Sequence, residues 1–417
     1  MRPSFVSRTV AAFALSALLA AYNSSSSTSS SSSSSGATSG TIKIGVDLPV
    51  SGADASIGIP TQNGAVLAVE EANKSGFAGG KFKLEASLLD DAVQGKHDPN
   101  AGAQNVKTFI ADDAVLAMVG PFNSNVAKAE IPLSNDAGLA QISPSNTNDG
   151  LTIGDDAKKL RTAHPDTNAY FRVCTRDQKQ GQTLAQVAAQ RFSWKKAFII
   201  DDNETYGKGL ADVFDAQYRQ LGGTVQGHEH ITANQVDFKA LLTKIKSLNP
   251  DVVFFGGNTS TGGGLIRRQM ADVGMAKTPY LGGDGISDDE FETQAGTMAN
   301  GAYMTTASPD AAKLPTAKTF VDAYKARFKG DVGPYSANAY TAAKIEIAAI
   351  EKAITDNGGK MPTRADVLKN IAATANFDSP IGKQGFDANG DTTNGILTLY
   401  KVQGGKKVVV DTIAVKI

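Results

Sequence analysis

The chain has 417 residues, enough for two domains of about 100–200 residues each. Its 41 Lys and Arg residues nearly balance its 42 Asp and Glu residues, so the net charge gives no reason to expect a nucleic-acid partner. Cys174 is the only cysteine, which excludes an intrachain disulfide and a metal site built from cysteines.

Residues 1–21 have the pattern of a secretory signal peptide. Arg2 and Arg8 precede the apolar run Val10–Ala21, which is shorter than the ~20 residues that span a bilayer. The end of this run, Leu19–Tyr22, resembles a bacterial lipobox, but that motif ends in Cys, and a tyrosine cannot carry a thioether lipid. The sequence as given supports only cleavage and release; a natural Cys at position 22, or a deliberately removed tether, stays open.

Residues 22–40 form a Ser-rich segment of low complexity. Such a composition cannot bury a core and predicts a flexible linker, with a mean span of roughly 20–25 Å. Because it follows a lipobox-like end, we interpret it as a tether for a folded domain at a membrane surface, in preference to a functionless Ser expansion.

The next segment predicts one parallel α/β lobe, because strand and helix patterns alternate along it. Strand patterns occupy residues 41–46, 82–89, 115–119 and 139–142, and helical spacing is found at 60–74, 100–110 and 126–137.

Two neighbouring strands of this lobe each end in a cluster of hydroxyl and amide side chains, at Gly120–Asn125 and Ser143–Asn148. The carboxyl ends of parallel strands meet at one edge of the sheet, where ligands bind. Backbone N–H groups at a helix start, with hydroxyls beside them, suit a carboxylate. Asn123 or Ser124 could instead only cap the following helix. Because two such turns adjoin, we favour a binding site.

A second alternating series predicts a second α/β lobe. Its strand patterns occupy 169–173, 196–201, 224–231, 251–255, 278–281 and 301–305, with helical patterns at 181–191, 207–221, 238–247 and 263–273. Helical patterns at 313–329, 335–355 and 365–373 and a hairpin at 395–402 and 406–413 complete the chain.

Several short motifs, each weak alone, occur in one order along nearly the whole of this folded part. They are IGVDLPVSG at 44–52, DD at 90–91, GPFNS at 120–124, ISPSNT at 142–147, DNETYGKG at 202–209, FGG at 255–257, GGDG at 282–285 and FDANGD at 386–391. With them, the chain from Thr41 onward resembles the solute-binding component of branched-chain amino-acid ABC importers, the leucine/isoleucine/valine-binding type.

The resemblance implies the type I periplasmic-binding fold, an α/β fold in which three hinge crossings join two doubly wound, Rossmann-like lobes. The N-terminal lobe would comprise residues 41–173 and 308–378, and the C-terminal lobe residues 174–307 and 379–417, with crossings near 172–175, 305–308 and 377–382. The implied function is that of an exported, non-catalytic receptor on the periplasmic or extracellular face of the cytoplasmic membrane. It would act as a monomer, without cofactor or metal, and deliver a small amino-acid-like ligand to an ABC permease.

The resemblance also implies a role for single residues. Ser124 and Thr147 match residues that bind the ligand carboxylate, Asp284 matches the acid that pairs with its α-ammonium, and Tyr206 matches a tyrosine that closes the cleft. Donors on one lobe and an acid on the other form a zwitterion clamp that is complete only when the lobes close. The predicted binding set also contains Asn123, Ser145, Asn146 and Asn258.

Three positions depart from the family pattern. Ile57 stands where an aromatic residue is common, Asn258 replaces a tyrosine, and Asp284 replaces a longer glutamate. These departures make an amide or another small carboxylate an alternative ligand, and ligand sensing an alternative to import. Asp284 could also be only a turn residue of the GGDG loop, but its position at a strand end favours the ligand role.

Other motifs are interpreted as structural. The loop at 256–264 lacks the lysine of a P-loop, and the loop at 387–391 lacks the glutamate of a calcium loop. His228 and His230 share one face of a strand, but no further metal ligand lies near them in sequence, which favours a solvated strand. An enzyme is the less favoured class because no nucleotide fingerprint or catalytic constellation is found, although the fold alone would not exclude one.

Overall fold

The structure, a computed structural model, describes residues 36–232 and 234–417. The predicted signal peptide and most of the predicted linker lie outside the described residues. In the part of the chain that the structure describes, no helix combines the length and the apolar character needed to cross a membrane.

The first lobe is built on a parallel sheet covered by helices. Its elements are β1 (Gly40–Leu48), α1 (Ala55–Lys74), β2 (Phe82–Asp90), β3 (Ala92–Val93), β4 (Lys96–His97), α2 (Pro99–Ala111), β5 (Val115–Val119), α3 (Ser124–Asp136), β6 (Ala140–Ser143), α4 (Gly154–Lys159) and β7 (Tyr170–Arg172). The sheet has the strand order β2-β1-β5-β6-β7. Every residue of β5 is buried, as expected for a strand covered on both faces.

The second lobe repeats this alternation. Its elements are α5 (Asp177–Gln186), β8 (Lys196–Asp201), α6 (Thr205–Gln220), β9 (Thr224–His230), α7 (Lys239–Leu248), β10 (Val252–Gly256), α8 (Gly263–Asp272), β11 (Tyr280–Gly282), α9 (Asp289–Ala295) and β12 (Tyr303–Thr306). Its strands pair in parallel in the order β12-β11-β10-β8-β9. Because each connection is a helix, the sheet is covered on both faces.

The rest of the chain returns to both lobes. It forms α10 (Lys318–Phe328), α11 (Ser336–Asp356), α12 (Arg364–Ala372), β13 (Phe377–Ser379), β14 (Gly382–Gln384), β15 (Ile396–Gln403) and β16 (Lys406–Ala414). Helix α11 packs on α1 in the core of the first lobe. The hairpin β15–β16 joins the second sheet beside β12 in antiparallel pairing. The predicted architecture of two doubly wound lobes joined by three crossings is confirmed.

The third crossing lies in a stretch that contacts the first lobe before it enters the second sheet. Asp391 pairs with Arg172 at the end of β7, with Oδ1 2.6 Å from Nε, and the chain joins the second sheet at Ile396. Our lobe boundaries, including the one between residues 378 and 379, stay a prediction.

Candidate functional site

A small cavity lies where loops at the carboxyl ends of strands of the two lobes face each other. Its volume is about 10 Å³, the space of about one water molecule. An amino acid does not fit this space as it stands, so binding one requires a change in the lobes or in the lining side chains. Seven of the eight predicted binding residues line it together with Phe122, namely Asn123, Ser124, Ser145, Thr147, Tyr206, Asn258 and Asp284.

The first lobe contributes polar atoms that are available to a ligand. Thr147 Oγ1 and Asn123 Oδ1 are buried and form no well-aligned hydrogen bond among the described residues, although the Thr147 hydroxyl lies close enough to the carboxylate of Asp177 to oppose the rise that burial causes in the pKa of that carboxylate. Ser124 Oγ accepts a long bond of 3.4 Å from the N–H of Asn148. Because buried polar atoms are nearly always paired, these atoms indicate a polar ligand.

Helix capping does not account for the two residues at the start of α3. Within this fully described helix, the side chain of the N-cap residue Asn123 accepts no bond from the first turn. The hydroxyl of Ser124 instead faces the loop after β6. The alternative in which these residues serve only as caps is therefore wrong. The start of α3 brings the positive end of the helix dipole to the cavity, which favours an anionic group there.

Asn146 was predicted as a binding residue but does not line the cavity. Its Nδ2 donates to the carbonyl of Phe122 at 2.7 Å, and its Oδ1 accepts from the hydroxyl of Tyr170 at 3.0 Å. Its own carbonyl accepts from the buried guanidinium of Arg172 at 2.8 Å. Both side-chain polar groups of Asn146 therefore hold the loop in place, which makes it a positioning residue.

Asp284 supplies an acid from the second lobe. Its Oδ1 accepts hydrogen bonds from Tyr206 Oη and Gln180 Nε2, both at 2.8 Å, and its Oδ2 accepts one from Tyr335 Oη at 2.7 Å. A carboxylate offers about four lone-pair positions, so one remains for a ligand cation. Burial raises the pKa of Asp284, and the three donated bonds oppose that rise. Burial also raises the pKa of both tyrosines, which keeps them protonated as donors.

The glycines beside Asp284 allow Tyr206 to approach it closely. A Cβ atom on Gly283 would lie 2.5 Å from Tyr206 Oη, and one on Gly285 would lie 2.8 Å from Tyr206 Cε1. A larger residue at either position would displace the tyrosine from the carboxylate. The glycines of this loop therefore permit both the turn and the hydrogen bond between Tyr206 and Asp284.

Three residues around the cavity were not predicted from the sequence: Phe122, Gln180 and Tyr335. Tyr335 precedes α11 in the first lobe and donates across to Asp284 in the second, so this bond links the lobes. Its ring packs edge-on against Phe122, with the centroids 5.6 Å apart. Gln180 lies 104 residues from Asp284 in sequence, and no local pattern indicates that the two side chains meet.

A second polar contact joins the lobes through His97 at the end of β4. Its Nδ1 lies 2.8 Å from Asp54 Oδ2 in the same lobe, and its Nε2 lies 2.8 Å from Glu204 Oε2, just before α6 in the second lobe. Burial alone would lower the pKa of His97, but the hydrogen bonds and charges of the two carboxylates raise it well above 6.5. A protonated imidazole therefore bridges the two lobes.

Comparison with known proteins identifies the family. A family model described as periplasmic binding protein matches residues 41–407. The chain belongs to the periplasmic binding protein family. A relative of this periplasmic binding protein, the Leu/Ile/Val-binding protein homolog 3 of Brucella melitensis, is 33% identical over 367 residues, covering 88% of this chain and 93% of the relative.

Two further proteins agree with this assignment. The Leu/Ile/Val-binding protein BraC3 of Rhizobium johnstonii is 35% identical to this periplasmic binding protein over 374 residues, covering 89% of this chain and 94% of the relative. The crystal structure of the branched-chain amino acid transporter substrate-binding protein LivJ from Streptococcus pneumoniae, in complex with isoleucine, superposes with a TM-score of 0.77. It is 29% identical and covers 90% of this chain and 100% of its own. The predicted family and the predicted type I fold are confirmed.

The buried hydroxyl of Thr147 leads to a first prediction. Thr147→Val keeps the side-chain shape and removes a buried hydroxyl that forms no well-aligned hydrogen bond, so the free energy of unfolding of the ligand-free protein should change less than in the control below. Affinity for a carboxylate ligand should fall about 10- to 150-fold, since a hydrogen bond to a charged group contributes about 1.5–3 kcal/mol. Calorimetric titration and thermal unfolding measure the two effects.

Thr341→Val is the matched control, because the hydroxyl of Thr341 is buried and donates to the carbonyl of Ala337 at 2.7 Å. This control should lower stability and leave affinity unchanged. Unchanged affinity in Thr147→Val would remove this hydroxyl from the binding site.

Proposed function

We propose that this protein is a non-catalytic receptor that closes its two lobes around a small α-amino acid and delivers it to an ABC permease. The observation that carries the proposal is the two-sided cavity. Unpartnered first-lobe groups at the start of α3 suit a carboxylate, and Asp284 on the second lobe keeps one position for an ammonium. An α-amino acid carries both charges at the spacing of one carbon atom, whereas a solute with only one of the two charged groups would use half of the clamp.

The ligand proposed first is a branched-chain amino acid. This choice is supported by the names of the relatives in Brucella melitensis and Rhizobium johnstonii and by the isoleucine bound to the protein from Streptococcus pneumoniae. One observation favours a second candidate, an amide or another small carboxylate. Asn258 Nδ2 lines the cavity, is buried and has no partner in the part of the chain that the structure describes, so it would suit a ligand with a further acceptor oxygen.

The receptor is proposed to act outside the cell's cytoplasm, together with a membrane permease. The signal-peptide pattern of residues 1–21 supports export, so we place the folded part outside the cytoplasmic membrane. A permease in that membrane is the partner implied by the family. The two lobes of a single chain supply both halves of the proposed clamp, so ligand capture requires no second copy, and we propose action as a monomer.

A thermal-shift screen of the purified chain tests this function. The compounds are leucine, isoleucine, valine, asparagine and glutamine, each beside the carboxylic acid that lacks its amino group. A ligand at 100 times its Kd should stabilise the protein by about 2.7 kcal/mol. Shifts confined to the α-amino acids are expected. Shifts with the simple acids alone would keep a receptor but remove the ammonium site, and no shift with any compound would contradict the proposed ligand class.

A further inference from the structure

A cluster of two histidines and one aspartate lies on the second lobe, among residues that do not line the cavity. His228 and His230 are two residues apart on β9, so their side chains project from the same face of the sheet. Strand β8 pairs with β9 in parallel and places Asp201 opposite His230. No third ligand lies near the histidines in sequence, and the neighbouring strand supplies one.

The three side chains converge on one point. His228 Nε2 lies 2.6 Å from Asp201 Oδ2, and His230 Nδ1 lies 2.8 Å from both oxygens of the same carboxylate. One ligand atom from each residue lies within 4.8 Å of the other two. Within residues 36–232 and 234–417, this is the one group of three His, Cys, Asp or Glu side chains that meets this criterion.

Neighbouring groups restrict part of the cluster. His228 Nε2 faces Asp201, while its Nδ1 lies 3.4 Å from Asp215 Oδ2 on α6, which is a charge contact longer than a good hydrogen bond. A carboxylate on the outer nitrogen of a ligating histidine is the usual way to fix its ring and tautomer. Asp201 Oδ1 also accepts the N–H of Asn203 at 2.8 Å. These contacts restrict the side chains of His228 and Asp201 before an ion binds.

The cluster is also accessible from one side. The side chain of Asp201 is fully buried, that of His228 is 17% exposed and that of His230 is 47% exposed. The carboxylate is therefore approached from the side of His230, and a bound ion would replace the present hydrogen bonds with metal–nitrogen and metal–oxygen bonds of about 2.0–2.2 Å.

We propose that His228 Nε2, His230 Nδ1 and the carboxylate of Asp201 bind one divalent transition-metal ion of the zinc class, with solvent at the remaining coordination position. Two imidazole nitrogens and one carboxylate oxygen form a donor set that zinc and its neighbours in the first transition row prefer. Magnesium and calcium prefer sites made of oxygen alone. The site does not depend on the solute proposed above, because none of its three residues lines the cavity.

Titration of Zn²⁺ into the purified, tag-free chain, stripped of metal and followed by calorimetry, tests the site. We expect one ion per chain in the absence of any amino acid. His230→Gln and His228→Gln should each weaken Zn²⁺ binding about tenfold or more, since even an outer contact of a metal ligand is usually worth 10- to 100-fold. Co²⁺ should give the visible absorption spectrum of a mixed nitrogen and oxygen site, and that spectrum should be lost in the same variants.

The matched control is His164→Gln. His164 is exposed and faces a single carboxylate, with Nε2 3.3 Å from Asp136 Oδ1, so it offers two ligands instead of three. This variant should bind Zn²⁺ like the unmodified chain. Less than one ion per chain, or equal affinity in His230→Gln and His164→Gln, would overturn the proposal and leave the cluster as a histidine–carboxylate ion pair. Because the His230 side chain is half exposed, its variant is expected to fold, and unfolding curves verify this.

Discussion

Asp284→Asn is expected to remove most of the affinity for leucine while it changes the affinity for isocaproate, which is leucine without its amino group, far less. The carboxylate is buried and hydrogen-bonded by three neutral donors, so its negative charge is available to one ligand cation. Removing one member of a buried charge pair costs about 2–5 kcal/mol, which is a loss of roughly 30-fold or more. Calorimetric titration of both compounds measures the difference.

The ratio of the two affinities matters more than either alone. In Asp284→Asn the amide must also form a new set of hydrogen bonds with Tyr206, Gln180 and Tyr335. The free-energy cost of this rearrangement lowers the affinity for both compounds. Asp288→Asn is the matched control, because Asp288 is another buried aspartate of this lobe, 6% exposed, whose side chain accepts the N–H of Phe291 as the cap of α9. It should affect neither ligand. An equal loss of both ligands in Asp284→Asn would remove the ammonium role and return Asp284 to a structural one.

The fold was predictable because its buried strands are apolar runs bounded by charged residues and glycine. The predicted ranges 115–119 and 196–201 agree with β5 and β8 to the residue. The predicted first residues of helices were less accurate. The helical pattern predicted at 60–74 begins at Pro60, but Pro60 lies inside α1, which begins at Ala55. The pattern at 313–329 also begins with two short 3₁₀ turns, so α10 starts at Lys318.

The site was predictable where strand ends alone determine position. In a parallel sheet the loops after β5 and β6 must lie side by side, and this put Ser124 and Thr147 in one place. The direction of a single side chain was not predictable in the same way. Asn146 turns away from the cavity because Tyr170 and Phe122 offer it partners. Tyr335 reaches Asp284 only because α11 returns to the first lobe beside the crossings.

His97 makes lobe closure depend on pH, because a charge on one lobe meets a charge on the other. Glu204→Gln should therefore weaken leucine binding at neutral pH by about 1.5–3 kcal/mol, or roughly 10- to 150-fold, the contribution of a hydrogen bond between charged groups. The pKa of His97 is raised in the closed protein. The contribution is thus present below that pKa and is lost as the pH rises through it. The two proteins should bind leucine increasingly alike at alkaline pH, as calorimetry over a pH series would show.

The pH dependence that other acids near His97 cause must be distinguished from that of the contact between His97 and Glu204. Asp91 and Asp202 also act on its charge, and burial raises the pKa of Asp202 to about 7. A proton gained by Asp202 on closure would weaken binding at high pH with the same sign, and the charge of Glu204 adds to the burial that raises the pKa of Asp202. The pH series is therefore repeated with Asp202→Asn as the background of both proteins, where only His97 can supply the slope. Glu85→Gln, which breaks an exposed pair with Lys83 within the first lobe, should match the unmodified protein at every pH. A constant difference between Glu204→Gln and the unmodified protein across the whole series would show that Glu204 acts without the proton on His97. Convergence at alkaline pH that persists in the Asp202→Asn background would assign the closure proton to the imidazole that bridges the two lobes.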